Sequence, residues 1–61
     1  MAEITSKELS AISDLLTMEE NVTAKCRAYA GQTNDTVLKN QFEQMAQAHQ
    51  RHYDELYANL K

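Results

Sequence analysis

The chain has no proline, no tryptophan, a single glycine, Gly31, and a single cysteine, Cys26, among its 61 residues. Without proline nothing breaks a helix from within, and the lone glycine, beside the polar run Gln32-Thr33-Asn34-Asp35-Thr36, marks the one place that reads as a turn. A lone cysteine has no partner for an intrachain disulfide, so no covalent staple supports the fold. Long apolar runs are also missing. No stretch approaches the ~18 apolar residues of a membrane span, and the start, Met1-Ala2-Glu3-Ile4-Thr5, has neither the basic residues nor the apolar run of a secretory signal. A cytoplasmic protein with a reduced Cys26 is the expectation. Basic residues are in deficit, six Lys and Arg against nine Asp and Glu for a net charge of −3, and they are scattered. That distribution argues against a nucleic-acid partner.

What is present is an ordinary mixture, 43% hydrophobic and 25% charged, that suits one ordered domain over residues 1–61. A single core at this size rarely supplies more than about 3–5 kcal/mol. Oligomerisation or a bound metal is therefore expected.

Both halves show the three-four spacing of amphipathic helices, and alternation at period two is absent. The pattern predicts an all-α fold, an antiparallel two-helix hairpin with helices over about 6–30 and 36–60 and a turn over about 31–35. Thr5 and Glu8 have the spacing of a capping box, with Ile4 and Leu9 placed as a hydrophobic staple. Gly31 suits a left-handed cap at the end of the first helix, with Lys25 and Arg27 in its last turns. Asn34 or Asp35 can cap the second.

The inward stripe on helix one reads Leu9, Ile12, Leu16, Glu19, Thr23, Cys26, Ala30, and that on helix two Leu38, Phe42, Met45, His49, His52, Leu56, Leu60. A second apolar row flanks each stripe: Leu15, Met18, Val22 and Tyr29 on the first helix, Ala46, Tyr53 and Tyr57 on the second. A hairpin needs only one seam. The extra row predicts a homodimer that buries it in a four-helix bundle.

Three polar residues interrupt the apolar stripes: Glu19, His49 and His52. With the turn centred near Thr33 and Asn34, Glu19 falls level with His49, and His52 follows one turn away on the same face. One carboxylate and two imidazoles form a donor set that iron, manganese or zinc accepts. The same residues also suit a purely structural role, a buried Glu19–His49 hydrogen bond that sets the register of the helices. Both readings stay open at this level. Cys26 reads as a small buried hydrophobe, because no histidine falls level with it to make it a nucleophile, although its place on a seam allows a contact with a symmetry mate. Glu20 reads as solvated.

The segments Leu15-Leu16-Thr17-Met18-Glu19-Glu20, Lys25-Cys26-Arg27-Ala28-Tyr29-Ala30, Asn34-Asp35, Leu38-Lys39 and Ala48-His49-Gln50-Arg51-His52 together resemble the spore coat protein F-like group of spore-forming Firmicutes, within the wider ferritin-like architecture. The resemblance covers Thr5 to Leu60 and implies a single-hairpin version that dimerises. In ferritin-like di-iron proteins one carboxylate comes from the first helix of a pair and a Glu-x-x-His motif from the second. By this resemblance Glu19 matches the first carboxylate and His49 the histidine. The motif's other carboxylate falls at Ala46, so the ligand that bridges two irons is missing.

The expectation is thus a non-catalytic structural protein without a cofactor, not an enzyme, which assembles as a homodimer and with other spore coat proteins in the coat. The alternative is a ferritin-like metalloprotein holding iron, manganese or zinc on Glu19, His49 and His52. A third reading is a small dimeric adaptor that offers its acidic outer face to a protein partner.

Overall fold

The computed structural model describes residues 4–60 as two α-helices, α1 over Ser6–Gln32 and α2 over Thr36–Ala58, joined by Thr33-Asn34-Asp35 and packed against each other. The Met1-Ala2-Glu3 start read above for a leader, and Lys61 at the far end, lie outside the described residues. Among the described residues there is no strand, and no helix is long and apolar enough to cross a membrane.

Helix α1 begins where the spacing predicts. Thr5 is extended, and its Oγ1 accepts from the Glu8 backbone N–H at 3.1 Å, which satisfies one of the free donors of the first turn. The reciprocal half of the box differs from expectation: the Thr5 hydroxyl donates to Glu8 Oε1 at 2.9 Å, so the carboxylate meets the side chain of the cap.

The end of α1 corrects the sequence reading. Gly31 lies inside the helix, no glycine has positive φ, and the helix continues past Ala30 to Gln32. The reason is that the turn is built from side-chain acceptors and needs no left-handed residue. Thr33 closes the helix by donating its N–H to the Tyr29 carbonyl at 3.1 Å, then leaves in an extended conformation with its Oγ1 accepting from the Asp35 N–H at 3.1 Å. Asp35, rather than Asn34, caps α2, with Oδ1 accepting from Val37 N–H at 2.9 Å and Leu38 N–H at 3.0 Å. The longer α1 leaves Lys25 and Arg27 short of its last turn. Helix α2 stops at Ala58 instead of near residue 60, where the Asn59 side-chain amide donates back to the Glu55 carbonyl at 2.9 Å.

The buried apolar part of the seam is made of small side chains. Cys26, Ala30 and Ala46 are its buried apolar residues, Thr23 and Glu19 are buried beside them, and no large side chain of the described residues is fully buried. Ile12, Leu16, Phe42, Tyr53, Leu56 and Leu60 line it half-buried. On α1 the expected stripe holds except for Leu9, which is exposed. On α2 it is rotated: Ala46, expected in the outer row, is buried, whereas Leu38 and Met45, expected inside, are 44% and 46% exposed. Small residues facing each other let two helices approach more closely than Leu or Met would, which favours Ala46 at the contact. Cys26 is a free thiol buried within the hairpin, so the contact with a symmetry mate that its position allowed is not open to it.

This rotation leaves a continuous apolar face beside the seam. Leu15, Met18 and Tyr29 of α1 and Leu38 and Met45 of α2 are each more than two-fifths exposed, and the Tyr29 ring meets Phe42 at 5.5 Å between centroids. Leu15 shares a groove with His52 and Leu56, so the α1 row of Leu15 and the α2 row of His52 lie on one side, whereas Tyr53, expected in the outer row of α2, lines the opposite side. The opposite side is polar, with Glu20, Arg27 and Gln50 around Thr23 and Tyr53.

Because Gly31 is helical and an added Cβ would meet nothing within 4 Å, Gly31→Ala should stabilise the hairpin by about 0.5–1 kcal/mol. Thermal unfolding followed by circular dichroism should show a midpoint a few degrees higher; a lower one would mean that residue 31 is not helical.

Candidate metal centre

Helix α1 delivers Glu19 into the seam four residues before Thr23, and α2 delivers His49 three residues after Ala46, so two polar residues occupy the row that the small residues form nearer the turn. The short connection and the Asp35 cap set the register that brings them level. Glu19 is buried, His49 half-buried, and His52, one turn further along α2, is exposed.

His49 Nδ1 lies 2.5 Å from Glu19 Oε1, and His52 Nδ1 lies 3.5 Å from Glu19 Oε2. An ionised carboxylate only accepts, so the His49 ring donates its Nδ1–H to Glu19. The two imidazoles stand edge to face, 5.4 Å apart between centroids with planes at 85°. A ligand atom of each of the three residues lies within 4.8 Å of those of the other two. All three residues singled out from the sequence are thus brought together.

One carboxylate oxygen and two imidazole nitrogens, all within 4.8 Å of one another, would fill three of the four positions of a tetrahedral ion of the zinc class. With bonds of about 2.0–2.1 Å, neighbouring ligands in such an ion sit about 3.3 Å apart. The His52–Glu19 pair at 3.5 Å already has this spacing, and the His49–Glu19 pair at 2.5 Å would open by less than one ångström as the ion replaced the Nδ1 proton. Ala46 offers no donor at the position where a Glu-x-x-His motif would carry its carboxylate. The donor set would suit a single ion.

Beside the cluster runs a groove of about 360 Å³ bounded by Leu15, Glu19, His52, Glu55, Leu56 and Asn59. Glu55 and Asn59 escaped the sequence reading; their spacing from His52, i+3 and i+7, is the signal that places them on its side of α2.

Comparison of the chain with protein-family models, curated proteins and solved structures finds no match.

Without metal, the Glu19–His49 contact carries a stability signature. His49→Leu leaves a buried carboxylate without its close donor and should cost about 1–3 kcal/mol in chemical denaturation. Adding Glu19→Leu to that variant should restore most of the loss, since replacing both partners by apolar groups removes the desolvation penalty. Additive losses in the two single variants and their combination would show that the residues do not act as a pair.

Proposed function

We propose that this chain is a non-catalytic assembly protein, a helical hairpin that pairs with a second copy into a four-helix bundle. The observation that carries this reading is the apolar face of Leu15, Met18, Tyr29, Leu38 and Met45, open to water on a hairpin whose buried apolar core, among the described residues, is Cys26, Ala30 and Ala46. Leu15, Val22 and Tyr29 recur every seven residues on α1, as do Leu38, Met45 and His52 on α2. Rows of this period run straight along helices packed at the shallow angle of a bundle. The seam inside the hairpin follows the same rule through Ile12, Glu19 and Cys26. A helix with two such seams has two neighbours, and the hairpin supplies one of them. The resemblance to spore coat F-like proteins supports a place in a large protein assembly of that kind.

A second reading is favoured by one specific observation, the convergence of Glu19, His49 and His52. Under it the hairpin holds one divalent transition-metal ion, with zinc, manganese and iron(II) as the ions whose preferences the donors meet.

Light scattering on the untagged chain should give twice its 7.0 kDa mass at micromolar concentration. Met18→Glu with Met45→Glu, which puts charge on the exposed face without touching the seam, should return it to the single mass. A wild-type chain that stays at 7.0 kDa would end the bundle proposal.

For the metal reading, zinc titration of metal-free protein should saturate at one ion per chain and weaken as pH falls, because protons compete for both imidazoles. Glu19→Ala and His49→Ala should each lower zinc affinity by at least tenfold. Sub-stoichiometric uptake by the parent protein would refute the site.

A further inference from the structure

The candidate metal centre and the candidate pairing face are one surface. His52 continues the exposed row of Leu38 and Met45 at the same seven-residue interval, and it shares a groove with Leu15 of the α1 row. Exposure of the three donors rises outward, with side chains 11% accessible at Glu19, 30% at His49 and 48% at His52. The cluster is therefore closed toward the seam and open toward the face that a second copy would cover.

From this geometry we infer that zinc-class metal binding and self-association are coupled: the ion at Glu19, His49 and His52 strengthens pairing of two hairpins through the Leu15, Met18, Val22, Tyr29, Leu38 and Met45 face. The inference rests on both readings given under the proposed function and adds the linkage between them.

The occupant of the face is a second copy of this chain. The hairpin measures 47 × 17 × 11 Å between Cα extremes, so its broad side offers about 800 Å², the area each partner contributes to a standard stable interface. The face carries the same seven-residue periodicity as the seam within the hairpin, which suits it to another surface of its own kind. Its polar part is the reason the ion matters. Pairing without metal takes a half-exposed histidine and the open side of a carboxylate out of water on each copy, a desolvation that only the two Nδ1 contacts to Glu19 offset. An ion bound to all three side chains offsets the carboxylate charge before the face is covered. Coverage in turn removes the water that competes for the ion. By linkage, whatever factor the ion contributes to pairing, pairing contributes to the affinity for the ion.

Sedimentation of the full chain across a concentration series tests this, in buffer with EDTA and in buffer with one equivalent of zinc chloride. The dimer dissociation constant should fall at least tenfold with zinc, and magnesium at the same concentration should leave it unchanged. His52→Ala, whatever its own dimer constant in EDTA, should show no response to zinc. Reciprocally, the Met18→Glu, Met45→Glu chain should bind zinc at least tenfold more weakly than the parent.

Equal dimer constants with and without zinc, in a chain shown by titration to bind zinc, would overturn the coupling while leaving both underlying readings intact. Zinc that drives the dimer apart would overturn it as well. A chain that takes up no zinc ends the coupling by ending the metal reading, and one that is monomeric in both buffers ends it by ending the pairing reading. Titration and sedimentation report these failures separately.

Discussion

Burial of the small side chains Cys26, Ala30 and Ala46 between α1 and α2 is the contact on which the other features of this hairpin depend. Two helices that meet through small side chains bury little apolar area per residue but leave their larger side chains free to turn outward. Leu38 and Met45 are pushed to the rim for this reason, and the face they form with Leu15, Met18 and Tyr29 follows directly. The same contact brings a glutamate from one helix within a single hydrogen bond of a histidine from the other. Thr23, also buried in the seam, has a hydroxyl with no hydrogen-bond partner. Tight packing here carries a small polar cost of its own.

Ala46 has a double meaning in this arrangement. The ferritin-like resemblance sets a carboxylate at this position, whereas in the fold it is the one buried residue of α2 and lies against α1. A glutamate there would have to leave the seam or force the helices apart. The residue that offers no metal ligand is therefore the buried residue of α2. What remains is a donor set with one carboxylate, suited to one ion and closed on one side only.

Much of this was legible in the residues. The helices, the Thr5 cap, the register that sets Glu19 level with His49, and the buried small residues of α1 all follow from spacing, because each is a local pattern or a consequence of a short turn. Two features were not legible. Gly31 carries the mark of a left-handed cap, and only the hydrogen bonds from Thr33 and Asp35 show that the chain turns without one. The rotation of α2 was misread because Leu38 and Met45 are more hydrophobic than Ala46, and hydrophobicity alone ranks them inward. The approach distance of two helices is a property of both, so the preference for a small residue at the contact is invisible in either pattern alone.

The connection at Thr33-Asn34-Asp35 and the polar cluster stand at a distance from each other that has a mechanical consequence. From Thr33 back to Glu19 the helix rises about 21 Å at 1.5 Å per residue. Such a hairpin behaves as a pair of tongs, with its pivot at the hydrogen-bonded turn and its jaws at Glu19 and His49. A change of about 5° in the angle between the arms moves the jaws by about 2 Å, roughly the length of one metal–ligand bond. The side chains of the turn thus help to set the opening of the jaws, although none of them touches what the jaws could hold.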